Sequence, residues 1–348
     1  MDFYFDIEFI KELQVRSDDS DVFIDFKRFL KQLHCSNIFL FIESHELTVS
    51  CLIDNPLLKY ISDSSPFITL EHSDLNKILN NDNASAFKCF FLNSIDVETI
   101  RKQFGYFALS AFEIIKNDEL FNAGRQDLIK VTSNEAGENK LDSWSILKDY
   151  KYPINSVVIN DRYFLNNKKS LNINILSLLD NIGLIPLKNR KIDICIITEE
   201  IFKKRKEEEP YYLMNENFCY AYTIISNHLN SLIGSDSYNL TVLRVDKNTT
   251  PQSFELHQRI LVTNFLVIDS VPSFSFFERN KDGKISVRVQ EKVSFDFILW
   301  KRSRNTLVSI INNMKEAFLK IEDLKNTEGH ILKKRVISKN RTCRLFFD

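Results

Sequence analysis

Apolar and polar residues follow one another in short blocks that predict alternating strands and helices. The opening FYFDIEFI (3–10) predicts a strand that passes into a helix. In VFIDFKRFLKQLH (22–34) the apolar residues recur at spacings of three and four, which is typical of an amphipathic helix. SNIFLFIES (36–44) is apolar over most of its length and predicts a second strand.

The next blocks repeat this order. KCFFLN (88–93) predicts a short buried strand, and YFALS (106–110) predicts another. Between them, SIDVETIRKQFG (94–105) has a polar start and ends in Gly105, as helices commonly do. Strand, helix and strand in this order indicate a parallel sheet.

The second half begins the same rhythm again. We predict strands at 154–165, 192–198 and 238–245, separated by helices at 171–183 and 221–234 that each end in glycine. Further on, KDGK predicts a hairpin turn within SFSFFERNKDGKISVRV. The last helix is predicted in RNTLVSIINNMKEAFLKIEDL.

The least periodic part of the chain is 116–150, which contains Gly124, Gly137 and many acids and amides. We therefore expect two α/β domains, at 1–115 and 151–348, joined by a linker at 116–150. The first domain should contain a parallel sheet and the second a mixed sheet.

The two halves of the chain also differ in net charge. The formal net charge is −1, with −10 on residues 1–150 and +9 on residues 151–348. A basic second half indicates a polyanionic partner such as DNA or RNA, although ordinary solvated surface charge gives the same totals.

Other features of composition favour a cytoplasmic protein. No apolar run reaches the ~18 residues that span a bilayer, and the acidic N-terminus is unlike a signal peptide. The six cysteines are scattered without a CxxC pair, which favours reduced, buried thiols over disulfides or a zinc site.

A cluster with candidate chemistry occurs in ELHQRILVTNFLVIDS (255–270). His257 and Arg259 are two residues apart, so on a strand they project from the same face and can contact one phosphate. Asn264 follows five residues later. The plainer interpretation is that His257 ends a strand and that Arg259 meets a nearby acid such as Asp161.

The spacing of HQRILVTN resembles the H-x-K-x4-D signature of the phospholipase D superfamily. The flanks LHQRILVTNFLVIDSVPSFSFF are similar to the branch with an LHDR-type motif, found after some microtubule-interacting-and-trafficking domains. VVINDRYFL and KNRTCRLF also resemble segments of that branch, so the similarity covers roughly 150–348.

This resemblance implies a catalytic site formed by His257, Arg259 and Asn264, with phosphate bound by Arg259, Ser273 and Ser275. The chain has one such motif, so a complete site would need a homodimer. Arginine binds phosphate well but donates a proton poorly, and asparagine lacks the charge of aspartate. We therefore expect phosphate recognition more than hydrolysis.

Acidic residues follow the predicted strands of the first half: Asp6, Glu43 and Asp96. Their order resembles that of a PIN-type nuclease domain over about 1–115. The resemblance implies a Mg²⁺ or Mn²⁺ site in which these three carboxylates meet. Asp96 has a plainer explanation as well, because acids at helix starts complement the helix dipole.

Two functions remain open from the sequence. The first is a nucleic-acid- or phosphate-recognising protein, either without catalytic activity or with metal-dependent nuclease activity in the first half, by analogy with such domains in bacterial defence systems. The second is a non-catalytic sensor or adaptor that uses the phospholipase D-like half to bind a protein or a phosphorylated ligand.

Overall fold

A computed structural model describes most of the regular core of the protein. The described residues are 1–16, 26, 30, 37–42, 54–64, 67–81, 86–93, 95–116, 143–145, 147, 152–161, 171–199, 211–245, 259–270, 274, 277–279, 281–282, 285–287, 293–297, 301–325, 327–333, 335–338 and 340–346.

The first half forms a parallel sheet with helices on both faces. Its strands are β1 Asp2–Asp6, β2 Asn37–Phe41, β3 Phe67–Leu70, β4 Lys88–Phe91 and β5 Phe107–Leu109, in the order β3-β2-β1-β4-β5. Its helices are α1 Ile7–Arg16, α2 Pro56–Ser64, α3 Asp74–Leu79, α4 Val97–Phe104 and α5 Ala111–Lys116.

Both faces of this sheet are buried, and the alternation of side chains along a strand explains how. Phe3 and Phe5 of β1 point into one hydrophobic cluster, whereas Tyr4 points into another. The ring of Tyr4 stacks between Phe39 and Phe90 of the neighbouring strands, at 4.7 Å from each ring centre. Near-continuous apolar strands are what a parallel sheet covered on both sides requires.

The second half forms a mixed sheet. Its strands are β6 Ser156–Asn160, β7 Ile192–Glu199, β8 Tyr238–Val245, β9 Ile260–Thr263, β10 Leu266–Ser270, β13 Val293–Phe297 and β16 Val336–Ser338, in the order β13-β10-β9-β6-β7-β8-β16. β6, β7 and β8 are parallel, and each other strand runs antiparallel to its neighbour.

Smaller elements complete this half. A π-helical turn, Asn172–Leu176, leads into α6 Ser177–Asn181, and the long helices are α7 Tyr211–Ile233 and α8 Lys301–Lys320. Two hairpins are formed by β11 Phe277–Arg279 with β12 Ile285–Val287, and by β14 Leu324–Lys325 with β15 Ile331–Lys333. A 3₁₀ turn covers Arg344–Phe346.

The fold class is confirmed: the structure contains a parallel α/β sheet followed by a mixed α/β sheet. Within the predicted linker 116–150, the structure describes 116, 143–145 and 147, and Trp144 is fully buried against Phe274 and Phe277. The domain boundaries stay a prediction. The predicted helix 22–34 lies outside the described residues except for Phe26 and Leu30, which are helical and buried.

The two sheets are in direct contact through Gly105, which follows α4. Gly105 has φ +66°, and a Cβ there would lie 2.8–2.9 Å from the Leu187 side chain and from the backbone of Ile154 and Asn155. Only glycine satisfies both the left-handed backbone and this close approach. Beside it, the rings of Phe107 and Phe265 lie 5.6 Å apart and join the two sheets in one hydrophobic cluster.

The described cysteines are free thiols, and Cys89, Cys195 and Cys343 are buried. Burial raises the pKa of the Cys343 thiol to about 12. Among the helices of the described segments, none combines the length and apolar character that crossing a bilayer requires.

Candidate functional site

The carboxyl ends of β1 and β4 lie where the strand order of the first sheet reverses, which is where ligands of open α/β sheets commonly bind. Asp6, at the end of β1, is fully buried. Its Oδ1 accepts a hydrogen bond from Phe9 N at 2.6 Å, and its Oδ2 accepts one from Asn93 N at 2.9 Å. Asp6 therefore caps α1 and links β1 to the residue that follows β4.

The start of α5 is held by further internal contacts. Asn93 Oδ1 accepts from Ala111 N at 3.1 Å. Ser110 and Glu113 form a reciprocal capping box, since Ser110 N donates to Glu113 Oε2 at 2.9 Å and Glu113 N donates to Ser110 Oγ at 3.3 Å. Glu113 also forms an ion pair with the buried Arg101 of α4.

Asp96 lies on the surface as the N-cap of α4. Its Oδ1 accepts from Glu98 N at 3.0 Å and its Oδ2 from the Thr99 hydroxyl at 2.7 Å. The Thr99 hydroxyl bond lowers the pKa of Asp96. Glu43 lies outside the described residues. Among the residues that are described, no three His, Cys, Asp or Glu side chains are grouped to hold a metal ion, so the Mg²⁺ or Mn²⁺ site stays a prediction.

Arg259 lies just before β9, at the carboxyl edge of the second sheet, because Ile260 is paired with Asn160 at the end of β6. Its carbonyl accepts from Ser270 N at 2.9 Å. Desolvation raises the pKa of Asp269 on the neighbouring strand, and the charge of Arg259 opposes that shift. The nearby Asp161 accepts from Phe274 N at 2.6 Å.

Asn264 follows β9 at its other end. Five residues of extended chain separate it from Arg259, which is about 17 Å at about 3.3 Å per residue. Asn264 is fully buried, its Oδ1 accepts from Asn155 N at 3.3 Å, and its Nδ2 donates to Gly105 O at 3.0 Å. The structure does not bring Arg259 and Asn264 together. His257, Ser273 and Ser275 lie outside the described residues, so the catalytic and phosphate-binding roles stay predictions.

A polar cleft of about 630 Å³ opens at the opposite edge of the second sheet. Three segments form it: 187–193, which leads into β7; 236–239, which leads into β8; and 340–344 near the end of the chain. Among the described residues that line it, Leu187 is the one apolar side chain. A cleft so rich in polar groups suits a strongly polar ligand.

Asp193 and Arg344 form the floor of this cleft. Asp193 Oδ1 accepts from Asn239 Nδ2 at 2.9 Å and from the Thr342 hydroxyl at 3.2 Å. Its Oδ2 accepts from Arg344 N at 2.9 Å and from Arg344 Nη1 at 3.2 Å. Arg344 Nη1 also donates to Lys191 O at 2.8 Å. These bonds neutralise the buried carboxylate and fix the tail segment against β7.

Basic residues outnumber acidic ones in the described lining of the cleft, four against Asp193 and Asp236. Lys188 is exposed and Lys191 is half-buried, and neither forms an ion pair with a carboxylate of the described segments. Arg190 is only 7% exposed, and its guanidinium donates to neutral groups, the Tyr106 hydroxyl at 2.8 Å and the Leu79 carbonyl. A buried cation held by neutral partners leaves its charge available to a nearby anion.

A second buried cation lies beside Arg190. The Lys88 ammonium lies 5.9 Å from the ring centre of Tyr106, and the Arg190 guanidinium lies 4.8 Å from the same ring. Burial lowers the pKa of Lys88, while Asp2 opposes the shift and Arg190 adds to it. Lys88 donates to Ile78 O at 3.2 Å. Two cations around one aromatic ring strengthen the positive potential on this side of the cleft.

The cleft was not anticipated from the sequence, although a signal for it exists. The segments KNRK (188–191) and KNR (339–341) both place an amide between basic residues, and the fold brings parts of both to the cleft. Only the second stretch belongs to a segment for which a resemblance was found, the closing part of the phospholipase D-like similarity. The meeting of two segments about 150 residues apart depends on the pairing of β7 with β8 and of β8 with β16.

No protein-family model matches this chain, and no curated protein matches it significantly. The resemblances to phospholipase D-like and PIN-type domains therefore stay predictions.

Proposed function

We propose that the protein binds nucleic acid by its phosphate groups, through the basic cleft at the amino ends of β7 and β8. The observation that supports this most is the surplus of cations at the cleft. Lys188, Arg190 and Lys191 have no carboxylate partner among the described residues, whereas Asp193 is neutralised by Arg344. Phosphate groups are recognised by lysine and arginine side chains whose charge is not already compensated by a carboxylate.

The charge distribution of the chain agrees with this proposal. Residues 151–348 carry a net charge of +9, and the cleft is lined largely by that half. Long-range attraction by a basic half increases the rate at which a polyanion reaches the cleft.

The test is the binding of labelled single-stranded DNA and RNA, measured by fluorescence anisotropy. We expect the double variant Lys188→Glu/Lys191→Glu to bind about tenfold more weakly or worse, because it reverses two charges at the cleft. The matched control is Lys11→Glu/Lys59→Glu, which makes the same charge change on exposed lysines of α1 and α2. Equal affinity of the two double variants, or no binding by the wild type, would contradict the proposal.

Cleavage is tested separately with the same oligonucleotides and Mn²⁺. Loss of cleavage only in Asp6→Ala would support the PIN-like prediction, and loss only in His257→Ala would support the phospholipase D-like prediction. Binding without cleavage by the wild type supports a binding protein that does not cleave under these conditions.

A second candidate, a sensor or adaptor, is supported by the way the cleft is attached to the first sheet. Lys188 N donates to Lys102 O at 3.3 Å, and Asn189 N donates to Gln103 O at 3.0 Å, both at the end of α4. A ligand in the cleft therefore contacts a segment that is bonded to the first half. For a sensor we expect slower hydrogen exchange in α4 after ligand binding, and unchanged exchange would exclude it.

A further inference from the structure

We propose that the cleft recognises the sugar–phosphate backbone of nucleic acid and not its bases. This inference rests on the proposed function and specifies which part of the ligand is recognised. It follows from four observations, on the lysines, the amides, the arginines and the aromatic rings around the cleft.

The donors left for a ligand are mainly ammonium groups. Lys188 and Lys191 line the cleft, and no carboxylate of the described residues pairs with them. A lysine ammonium is a compact point charge that binds a phosphate oxygen equally well next to any base. Such contacts position a strand but carry no information about its sequence.

The asparagines that could read base edges already have partners in the fold. Asn189 Nδ2 donates to Gln103 Oε1 at 3.0 Å, and Asn239 Nδ2 donates to Asp193. Asn340 Nδ2 donates to Asn239 Oδ1 at 3.1 Å. Asparagine reads adenine through its amide oxygen and nitrogen together, so an amide that the fold already orients is poorly placed for this.

Terminal nitrogens of the arginines are also bonded within the fold, both of them in Arg190 and one in Arg344. Arg190 uses both terminal nitrogens on Tyr106 and Leu79, and Arg344 uses Nη1 on Lys191 and Asp193. The two-bond contact of arginine with guanine needs a free fork of donors. Arg190 can therefore contribute charge, while its fork stays bound to the first sheet.

No aromatic face is open to a stacked base among the described residues around the cleft. The nearest rings are Tyr106, Phe104 and Tyr238, which are 0%, 5% and 1% exposed. Tyr106 and Phe104 are covered by the guanidinium of Arg190, and the Tyr238 hydroxyl is bonded to Asn230 and Ser226. Proteins that bind single strands through their bases need exposed aromatic faces on which the bases can stack.

The test compares three labelled oligomers of equal length: oligo-dT, oligo-dA and an abasic sugar–phosphate chain. Stacking contributes roughly fivefold or more in affinity for each base that uses it. We expect the wild type to bind all three with affinities within about threefold of one another, because backbone contacts are shared by all three. Inorganic polyphosphate should compete with each of them.

An affinity about tenfold or more lower for the abasic chain, or a preference of the same size for one base over the other, would overturn the inference. Either result would leave the proposed function standing. If the wild type binds none of the three, both fail. The charge-reversal variant Lys188→Glu/Lys191→Glu should weaken all three by the same factor, and weakening of only one would also overturn the inference.

Discussion

Arg190 and Tyr106 join the cleft to the first sheet. The Arg190 guanidinium donates from Nη1 to the Tyr106 hydroxyl at 2.8 Å and lies 4.8 Å from the centre of the same ring. Its other terminal nitrogen, Nη2, donates to the Leu79 carbonyl. One side chain therefore holds the wall of the cleft in place and supplies it with positive charge.

Replacing Arg190 with lysine should separate these two roles. Lysine keeps the charge but lacks the planar fork that reaches both acceptors, so a buried polar group is left without a partner. We expect a loss of about 1–3 kcal/mol in the free energy of unfolding, measured by urea denaturation. Tyr106→Phe removes only the hydroxyl bond and should lose less, and wild-type stability in Arg190→Lys would contradict this role.

Asn264 should prove to be a structural link between the sheets. Asn264→Ala removes its bonds to Gly105 O and Asn155 N in a fully buried site. Each backbone group left unpaired there should lower the free energy of unfolding by about 1–3 kcal/mol. The control is Asn312→Ala on the exposed side of α8, which should change little. Equal denaturation midpoints for the two variants would show that the link carries no stability.

Gly105→Ala should disrupt the same contact by sterics. The new Cβ would lie within 3 Å of Leu187, Asn155 and Ile154, in a left-handed backbone conformation. Gly329→Ala is a close control, because Gly329 has φ +85° and no neighbour within 4 Å of the added atom. Both variants acquire backbone strain, so the crowding at Gly105 should add about 1–3 kcal/mol of destabilisation to that variant alone. Similar melting temperatures would argue against close contact of the sheets at this point.

Lys88 should give the protein a specific dependence on pH. Its pKa is lowered by burial, so between the folded value and the ordinary value of 10.5 the unfolded chain binds more protons than the folded chain. The stability contributed by this group therefore rises with pH. We expect wild type to gain stability relative to Lys88→Met as the pH rises toward the ordinary value of 10.5, in urea titrations at each pH. A difference between wild type and Lys88→Met that stays constant with pH would contradict the burial argument.

Much of the fold could be predicted because local signals were strong. The continuous apolar runs of β4 and β7, and the polar start and terminal glycine of α4, indicated strands and a helix at their observed positions. The end of α4 at Gly105 was also predicted, because helices commonly end at a glycine. These features depend on neighbours close in sequence, which is why periodicity finds them.

The site was harder to predict because it depends on contacts between distant segments. A motif spacing placed Arg259 and Asn264 in one site, but β9 carries them to opposite edges of the sheet. Asp6, at the end of an apolar strand, was predicted to be a metal ligand. In the structure both of its carboxylate oxygens accept hydrogen bonds from backbone amides. Neither arrangement can be read from spacing alone, because the bond from Asn93 N to Asp6 and the pairing of β9 depend on residues distant in sequence.

The salt dependence of binding to single-stranded DNA tests phosphate recognition at the cleft. For single strands, the logarithm of the affinity falls with the logarithm of salt by about 0.7 for each phosphate contact. We predict that Lys188→Gln/Lys191→Gln lowers the magnitude of this slope by about 1.4 relative to wild type, and that Lys11→Gln/Lys59→Gln leaves it unchanged. An unchanged slope in the cleft variant, or an equal change in both variants, would contradict phosphate binding at the cleft.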